Sequence, residues 1–194
     1  MTQVRALRGA ALDAALDDVA RLRIAVFRAW PYLYDGDLDY ERDYLQSYRD
    51  SAGAIVVGAF DGARLVGAAT GTPMEDHADD FAAAFDGMVL DLTSIFYCAE
   101  SVLLPEYRGQ GVGHRFFDLR ENHAREMGRA TSAFCGVVRP DDHPLKPAGY
   151  VPLDAFWRKR GYEKLPGAVA HFGWKDIDRA EETKKPLQFW TREL

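Results

Sequence analysis

Along the chain, apolar residues switch between alternating and helical spacing, and the switches mark its elements. Val4 to Arg8 reads as a short first strand. From Leu12, apolar residues return at helical spacing through Leu16, Val19, Leu22, Ile24 and Phe27, with charges between them. Trp30-Pro31 ends this predicted helix, because a residue before proline is pushed out of the helical region. A second helix is predicted from a cap on Asp37 or Asp39 through Tyr48, with Tyr40, Tyr44, Leu45 and Tyr48 on one side. Ala54 to Phe60 and Arg64 to Thr70 flank the turn Asp61-Gly62-Ala63 and predict a hairpin. Pro73 to Gly87 is acidic, with Phe81 and Phe85 four apart, and reads as a short helix or a mobile excursion. The apolar stretch Ser94 to Leu104 is a fourth strand, Val112 to Met127 a helix, and Thr131 to Val138 a further strand. Arg139 to Pro152 is a polar connection with four prolines, a length at which loops carry function or disorder. Pro152 suits the first turn of a helix ending near Arg160, and Gly161 its stop. Phe172 to Trp174 and Leu187 to Trp190 read as closing strands, with an exposed end strand near Phe189-Trp190 available to a homodimer.

Composition narrows the class. A chain of 194 residues that is 47% hydrophobic suits one globular domain over residues 1–194, and neither repeats nor a linker divide it. No apolar run approaches the ~20 residues of a membrane span, and the N-terminus lacks a signal peptide's regions. The expectation is a cytoplasmic protein without a membrane partner. Cys98 and Cys135 fall inside predicted strands and read as reduced, buried thiols. A net charge of −6 argues against a nucleic-acid partner and favours a neutral or cationic acceptor. His77, His114, His123, His143 and His171 are scattered, none at metal-ligand spacing, so no metal is expected.

The candidate chemistry centres on Arg108-Gly109-Gln110-Gly111-Val112-Gly113, between the fourth strand and the long helix. Its glycines strip side chains from the turn, so main-chain N–H groups at a helix N-terminus are free to grip a phosphate. A dinucleotide fingerprint would need glycine where His114 stands, and a nucleoside-triphosphate loop would need Lys-Ser/Thr where His114-Arg115 stands. Both fail. What remains, Arg108-x-x-Gly111-x-Gly113, resembles the pyrophosphate motif of the GNAT superfamily of N-acetyltransferases. The strand Tyr97 to Leu104, the segment Pro105-Glu106-Tyr107, the following helix, the strand at Thr131 and Phe156-Trp157-Arg158-Lys159-Arg160-Gly161-Tyr162 extend the likeness over about residues 94 to 165. The resemblance implies an α/β fold with a central mixed, mostly antiparallel sheet of six to seven strands. About four helices would flank it, and the fourth and fifth strands would splay.

It also implies acetyl-CoA as co-substrate, acting in a ternary complex with a small-molecule or peptide amine. Arg108, Gly109, Gln110, Gly111, Val112, Gly113 and His114 would hold the pyrophosphate. Val102, Leu103 and Leu104 would lend backbone groups to the pantetheine arm, with an N–H near Val102 facing the thioester oxygen. Such a preorganised donor can be worth ~3 kcal/mol. Glu100 shares a face with Val102 inside an apolar strand, and partial desolvation there makes a carboxylate a better proton acceptor. The other reading of Glu100 is a structural carboxylate paired with an arginine or a hydroxyl. The family's usual tyrosine acid is replaced by Trp157, whose indole N–H is no proton source. Tyr150 stands first among substitutes, ahead of Tyr97 and Tyr162. The acceptor is expected between Trp30, Tyr32 and Tyr34 on one side and the Arg139 to Tyr150 loop with His143 on the other. Asp35, Asp37 or Asp142 would supply charge there. A noncatalytic CoA-binding sensor or accessory module is the rival reading.

Overall fold

The computed structural model describes residues 2–194. Its strands are β1 (Gln3–Leu7), β2 (Ile55–Asp61), β3 (Arg64–Pro73), β4 (Ile95–Leu103), β5 (Thr131–Val137), β6 (Glu163–Lys175) and β7 (Glu182–Glu193). They form one sheet in the order β1-β2-β3-β4-β5-β7-β6, antiparallel except between β4 and β5. The helices are α1 (Ala10–Phe27), α2 (Leu38–Asp50), α3 (Ala78–Phe81), α4 (Val112–Glu126) and α5 (Asp154–Lys159). The sheet expected from the sequence is the one observed, with five helices in place of about four.

Strand alternation decides which helix covers which face. Ile55, Val57 and Ala59 pack with Val112, Phe116 and Phe117 of α4. Val56 and Ala68 turn to the other face, against Leu12, Val19 and Leu22 of α1 and Leu45 of α2. The Asp37 carboxylate accepts the Tyr40 N–H at 2.9 Å, which settles the cap of α2. Of the two readings of Pro73 to Gly87, the short helix is the one found, over Met74–His77, Ala78–Phe81 and Ala82–Ala84, and Phe81 and Phe85 fold back onto Phe189 at 5.0 and 4.7 Å between ring centroids. Each ring buried this way contributes on the order of 2–3 kcal/mol.

The closing strands are much longer than Phe172 to Trp174 and Leu187 to Trp190. Pro166 and Gly167 interrupt β6 between Lys164 and Val169, where its register with β7 shifts, and this break hides the strand in the sequence pattern. The expected exposed end strand at Phe189-Trp190 is corrected too. The chain lays β6 at the edge and then returns with β7 between β5 and β6, so Phe189 and Trp190 are buried. Among the described residues, no helix is long and apolar enough to cross a membrane.

Candidate active site

The site begins where β4 and β5 part. They pair only at Ile95–Thr131, Phe96–Ser132 and Tyr97–Ala133, after which β5 continues along β7 alone. On its other side β4 carries a bulge: Thr72 pairs with Tyr97 but Thr70 with Glu100, so two residues of β3 span three of β4. The bulge reverses the alternation. Tyr97 packs on Phe81 and Phe189, Glu100 and Val102 face α1 and α2, and Cys98 and Leu103 face α4. The Leu104 N–H donates to the Val66 carbonyl at 3.0 Å. By antiparallel alternation Val102 also turns its main chain toward β3, and Ser101 and Leu103 turn theirs toward the opened side. This corrects the expectation for Val102 and Leu104. The open edge belongs to Leu103 and to Ser101, and the sequence reading passed over Ser101 because a bulge leaves no mark in the apolar pattern. Arg120 of α4 fixes the bulge from behind. Its guanidinium donates to the carbonyls of Thr70 (3.0 Å) and Glu100 (2.9 Å) and to Ser101 Oγ (2.8 Å).

Below this edge the chain turns through Pro105–Tyr107 into the glycine loop and α4. Gly109 and Gly111 hold φ of 75° and 78°, a left-handed backbone that favours glycine. A Cβ built on either meets nothing within 4 Å, so the space over the loop is open. Among the described residues, no acceptor bonds the main-chain N–H groups from Gly109 to His114. Arg115 begins the helical ladder by donating to the Gly111 carbonyl at 3.2 Å. The Gln110 amide folds back on the Glu106 carbonyl (3.1 Å) and Arg108 Nε on that of Leu103 (3.3 Å). The His114 ring lies against Phe156 and accepts from Arg160 at 3.2 Å, so His114 offers the loop its N–H alone. These residues fit a diphosphate: several N–H groups, one helix N-terminus and no side chain in the way.

Above the bulge, Glu100 is already partnered. Oε1 meets the Arg23 guanidinium of α1, and Oε2 accepts from the Tyr44 hydroxyl of α2 at 3.0 Å. Arg23 also pairs with Glu41 of α2, whose side chain is fully buried. Against the burial that opposes its charge, Glu100 and Glu41 hold the Arg23 guanidinium firmly protonated. Burial, and then the Glu100 charge, pushes the Tyr44 and Tyr48 phenols up; the two hydroxyls lie 2.8 Å apart. Of the two sequence readings of Glu100, the paired carboxylate describes its surroundings.

The two polar-aromatic stretches singled out in the sequence meet beside this cluster. Trp30 packs on His143 (5.0 Å between centroids) and on Tyr150 (6.0 Å). Tyr32 packs on Phe27 and Trp174, and its carbonyl accepts from Arg139 (2.6 Å) and Trp174 (2.9 Å). Burial pushes the Tyr32 phenol up, with Cys135, Glu100 and Tyr150 among its neighbours. Tyr34 departs from the expected group: its ring lies over Gly36 and its phenol beside Glu41, within the packing of α1 and α2. Asp35 is paired with Lys175 (2.7 Å) and Arg28 (3.3 Å), and Asp37 is the helix cap.

Trp157 covers β5 on the α4 side. It packs at a tilt on Phe134 and edge-on to Trp190, and would lie 3.0 Å from a Cβ at Gly136. Burial pushes the Cys135 thiol up to about 12, and the Tyr97 hydroxyl lies 3.4 Å from its sulfur. That is an inert thiol. Cys98, on the opposite face, is likewise buried and pushed up by burial.

Sequence reasoning missed Arg23, Glu41 and Arg120. Each is a charge on the apolar stripe of its helix, four residues from Val19, Leu45 and Phe116 respectively, and that misplacement was the available signal.

An acyltransferase is the class this fold and site define. The Acetyltransferase (GNAT) family profile matches residues 19–162, and the chain belongs to that family. No curated protein matches the chain in sequence. Among solved structures it is similar to the ribosomal-protein-alanine N-acetyltransferase of Brucella melitensis, with TM-score 0.64, 17% identity and 99% of each chain covered. It is also similar to the Salmonella typhimurium protein yncA, solved with its cofactor acetyl-CoA, with TM-score 0.60 and 12% identity over 100% of this chain and 94% of that one. An N-acetyltransferase from Staphylococcus aureus gives TM-score 0.65 at 9% identity over 100% of this chain and 98% of that one. At these identities the likeness is one of fold.

Proposed function

We propose that residues 1–194 act as one N-acetyltransferase domain that passes an acetyl group from acetyl-CoA to an amine of a small molecule or peptide. The observation that carries this reading is the row of unpartnered N–H groups from Gly109 to His114 beneath the opened edge of β4. Acetyl-CoA supplies the activated acetyl thioester. The loop, aided by Arg108, would hold the diphosphate, and the main-chain groups of Ser101 and Leu103 would hold the pantetheine arm. A preorganised N–H on that edge would steady negative charge developing on the acyl oxygen. Glu100, oriented by Arg23 and Tyr44, would take the proton of the attacking amine, directly or through water. Tyr32, Trp30, His143 and Tyr150 would wall the acceptor, with Tyr150 as the nearest successor to the acid that Trp157 displaces.

Titrating acetyl-CoA into the protein and into Gly111→Asp tests the loop. Affinity should fall at least about tenfold, because a carboxylate then stands where the diphosphate charge must sit. Equal affinity would overturn the phosphate assignment. A screen of amino acids, polyamines, aminoglycosides and peptide N-termini for free-thiol release tests transfer. The pairing of Glu100 with Arg23, together with Trp157, favours a second reading, a CoA-binding module without turnover; binding with no thiol release across the screen would select it.

A further inference from the structure

Helix α4 starts without the usual means of holding a first turn. Its cap position is Gly111, no side chain bonds the free N–H groups there, and the first turn contains no acidic residue. Either device would put oxygen or negative charge where a diphosphate needs bare N–H groups. Glycines at 109, 111 and 113 also give this stretch more backbone freedom than other residues would. Such a segment cannot by itself keep its N–H groups aimed at one point.

The hold comes from outside the loop. Arg160, just past the end of α5, donates from Nη1 to the His114 carbonyl (3.3 Å) and to His114 Nδ1 (3.2 Å). From Nη2 it donates to Asp118 (2.8 Å) and Glu121 (3.0 Å), one and two turns further along α4. Phe156, one turn before Arg160, lies on the His114 ring and 3.5 Å from a Cβ at Gly113. The Arg160 side chain is enclosed, with 8% exposed. A cation near this end opposes the helix dipole, and the two carboxylates answer it. Glu121 is anchored in turn by Arg192 (3.0 Å) and by the Tyr162 hydroxyl (3.0 Å). With its charge met, what Arg160 supplies to the loop is position.

We propose that Arg160 is a positioning residue for the coenzyme diphosphate: it pins His114 against α5 and so fixes the first turn of α4, whose N–H groups grip the phosphates. Arg160 does not touch the phosphates; it acts through His114. This rests on the acetyl-transfer reading for the identity of the ligand over the loop. It adds that α5 sets part of the cofactor affinity.

The test compares acetyl-CoA, followed by calorimetry, with S-acetylpantetheine, which lacks the diphosphate and is followed through backbone amide signals in nuclear magnetic resonance spectra. The whole protein should bind acetyl-CoA at least about tenfold more tightly. Arg160→Met keeps an unbranched stem and leaves Glu121 its other two partners, so the fold should persist. It should lower acetyl-CoA affinity at least about fivefold and leave S-acetylpantetheine affinity unchanged. Arg192→Met removes a Glu121 partner that does not reach His114, and should leave both affinities unchanged. If Arg160→Met does not fold, Arg160→Lys takes its place. One ammonium cannot reach His114 and both carboxylates together, so acetyl-CoA affinity should fall at least about threefold. Unchanged acetyl-CoA affinity in the folded variant overturns the proposal. So does an equal loss for the two ligands, or an equal loss in Arg192→Met, either of which would assign Arg160 to the fold alone. Wild-type protein that binds both ligands alike would overturn the diphosphate reading of the loop itself, and the proposal with it.

Discussion

The Arg139 guanidinium and the Asp176 carboxylate form a two-point ion pair, with Nη1–Oδ2 at 2.7 Å and Nη2–Oδ1 at 2.9 Å. Arg139 follows β5 and Asp176 follows β6, and both side chains are nearly enclosed. Arg139 also donates from Nε to the Pro31 carbonyl at 2.8 Å and from Nη2 to that of Tyr32 at 2.6 Å. One residue therefore ties the turn at Pro31-Tyr32 to the far end of the sheet, and Lys185 steadies Asp176 from the other side at 3.1 Å.

Arg139→Ala should separate acceptor binding from cofactor binding. Tyr32 loses a donor to its carbonyl, and Asp176 keeps only Lys185. Breaking a buried pair costs roughly 3 kcal/mol, which in a chain of this size lowers Tm by about 6–12 °C. The acceptor KM should rise while acetyl-CoA affinity, read by calorimetry, holds. The pair also sets an acid limit. Against the burial that opposes its charge, Arg139 and Lys185 hold the Asp176 carboxyl below the usual carboxylate range. Its contribution is complete above that range and is lost as pH falls through the depressed value. Arg139→Ala should therefore shrink the stability lost on acidification, measured as the urea midpoint against pH. A variant with wild-type acceptor KM would remove Arg139 from this role.

What the sequence disclosed follows from which interactions leave a periodic trace. The hairpin at Asp61-Gly62, the α4 stripe and the glycine loop are local, and local chemistry is written in consecutive residues. The β4 bulge is not: whether Val102 or Ser101 faces the open edge depends on a pairing with β3 thirty residues away. Glu100 shows the same boundary. Its strand and its face were legible, but Arg23 and Tyr44, which decide its electrostatics, arrive from two helices whose approach no spacing rule specifies. β6 was concealed by its own Pro166-Gly167 break.

Buried neutral thiol and phenol groups should make this fold sensitive to alkali. Burial raises the Cys135 thiol from about 9 to about 12 and pushes up the adjoining Tyr97 phenol. A group whose folded value is raised stabilises fully below its unfolded value, because above it the unfolded chain alone has released the proton. Stability should thus decline from about pH 9 toward pH 12. The urea midpoint, followed across that range, should fall steadily, and Cys135→Ala should fall less. At pH 8 a thiol reagent should leave both cysteines of the folded protein untouched and label both in denaturant. Rapid labelling of the folded protein would show that Cys135 is not sealed as described.

Glu100→Gln asks whether a carboxylate held by arginine still moves a proton. Glutamine keeps the volume and an oxygen for the Tyr44 hydroxyl, and Arg23 keeps Glu41, so no buried charge is stranded and the fold should persist. The glycine loop from Gly109 to Gly113 does not involve Glu100, so acetyl-CoA affinity should be unchanged. Turnover is the quantity at risk. A positioned general base contributes about a hundredfold or more, and losing it should lower kcat by that order. Raising the pH should partly restore the rate, as more of the amine reaches the site already deprotonated. An unchanged kcat with an unchanged profile would reduce Glu100 to a structural partner of Arg23, and water in the cleft between β4 and β5 would then have to carry the proton.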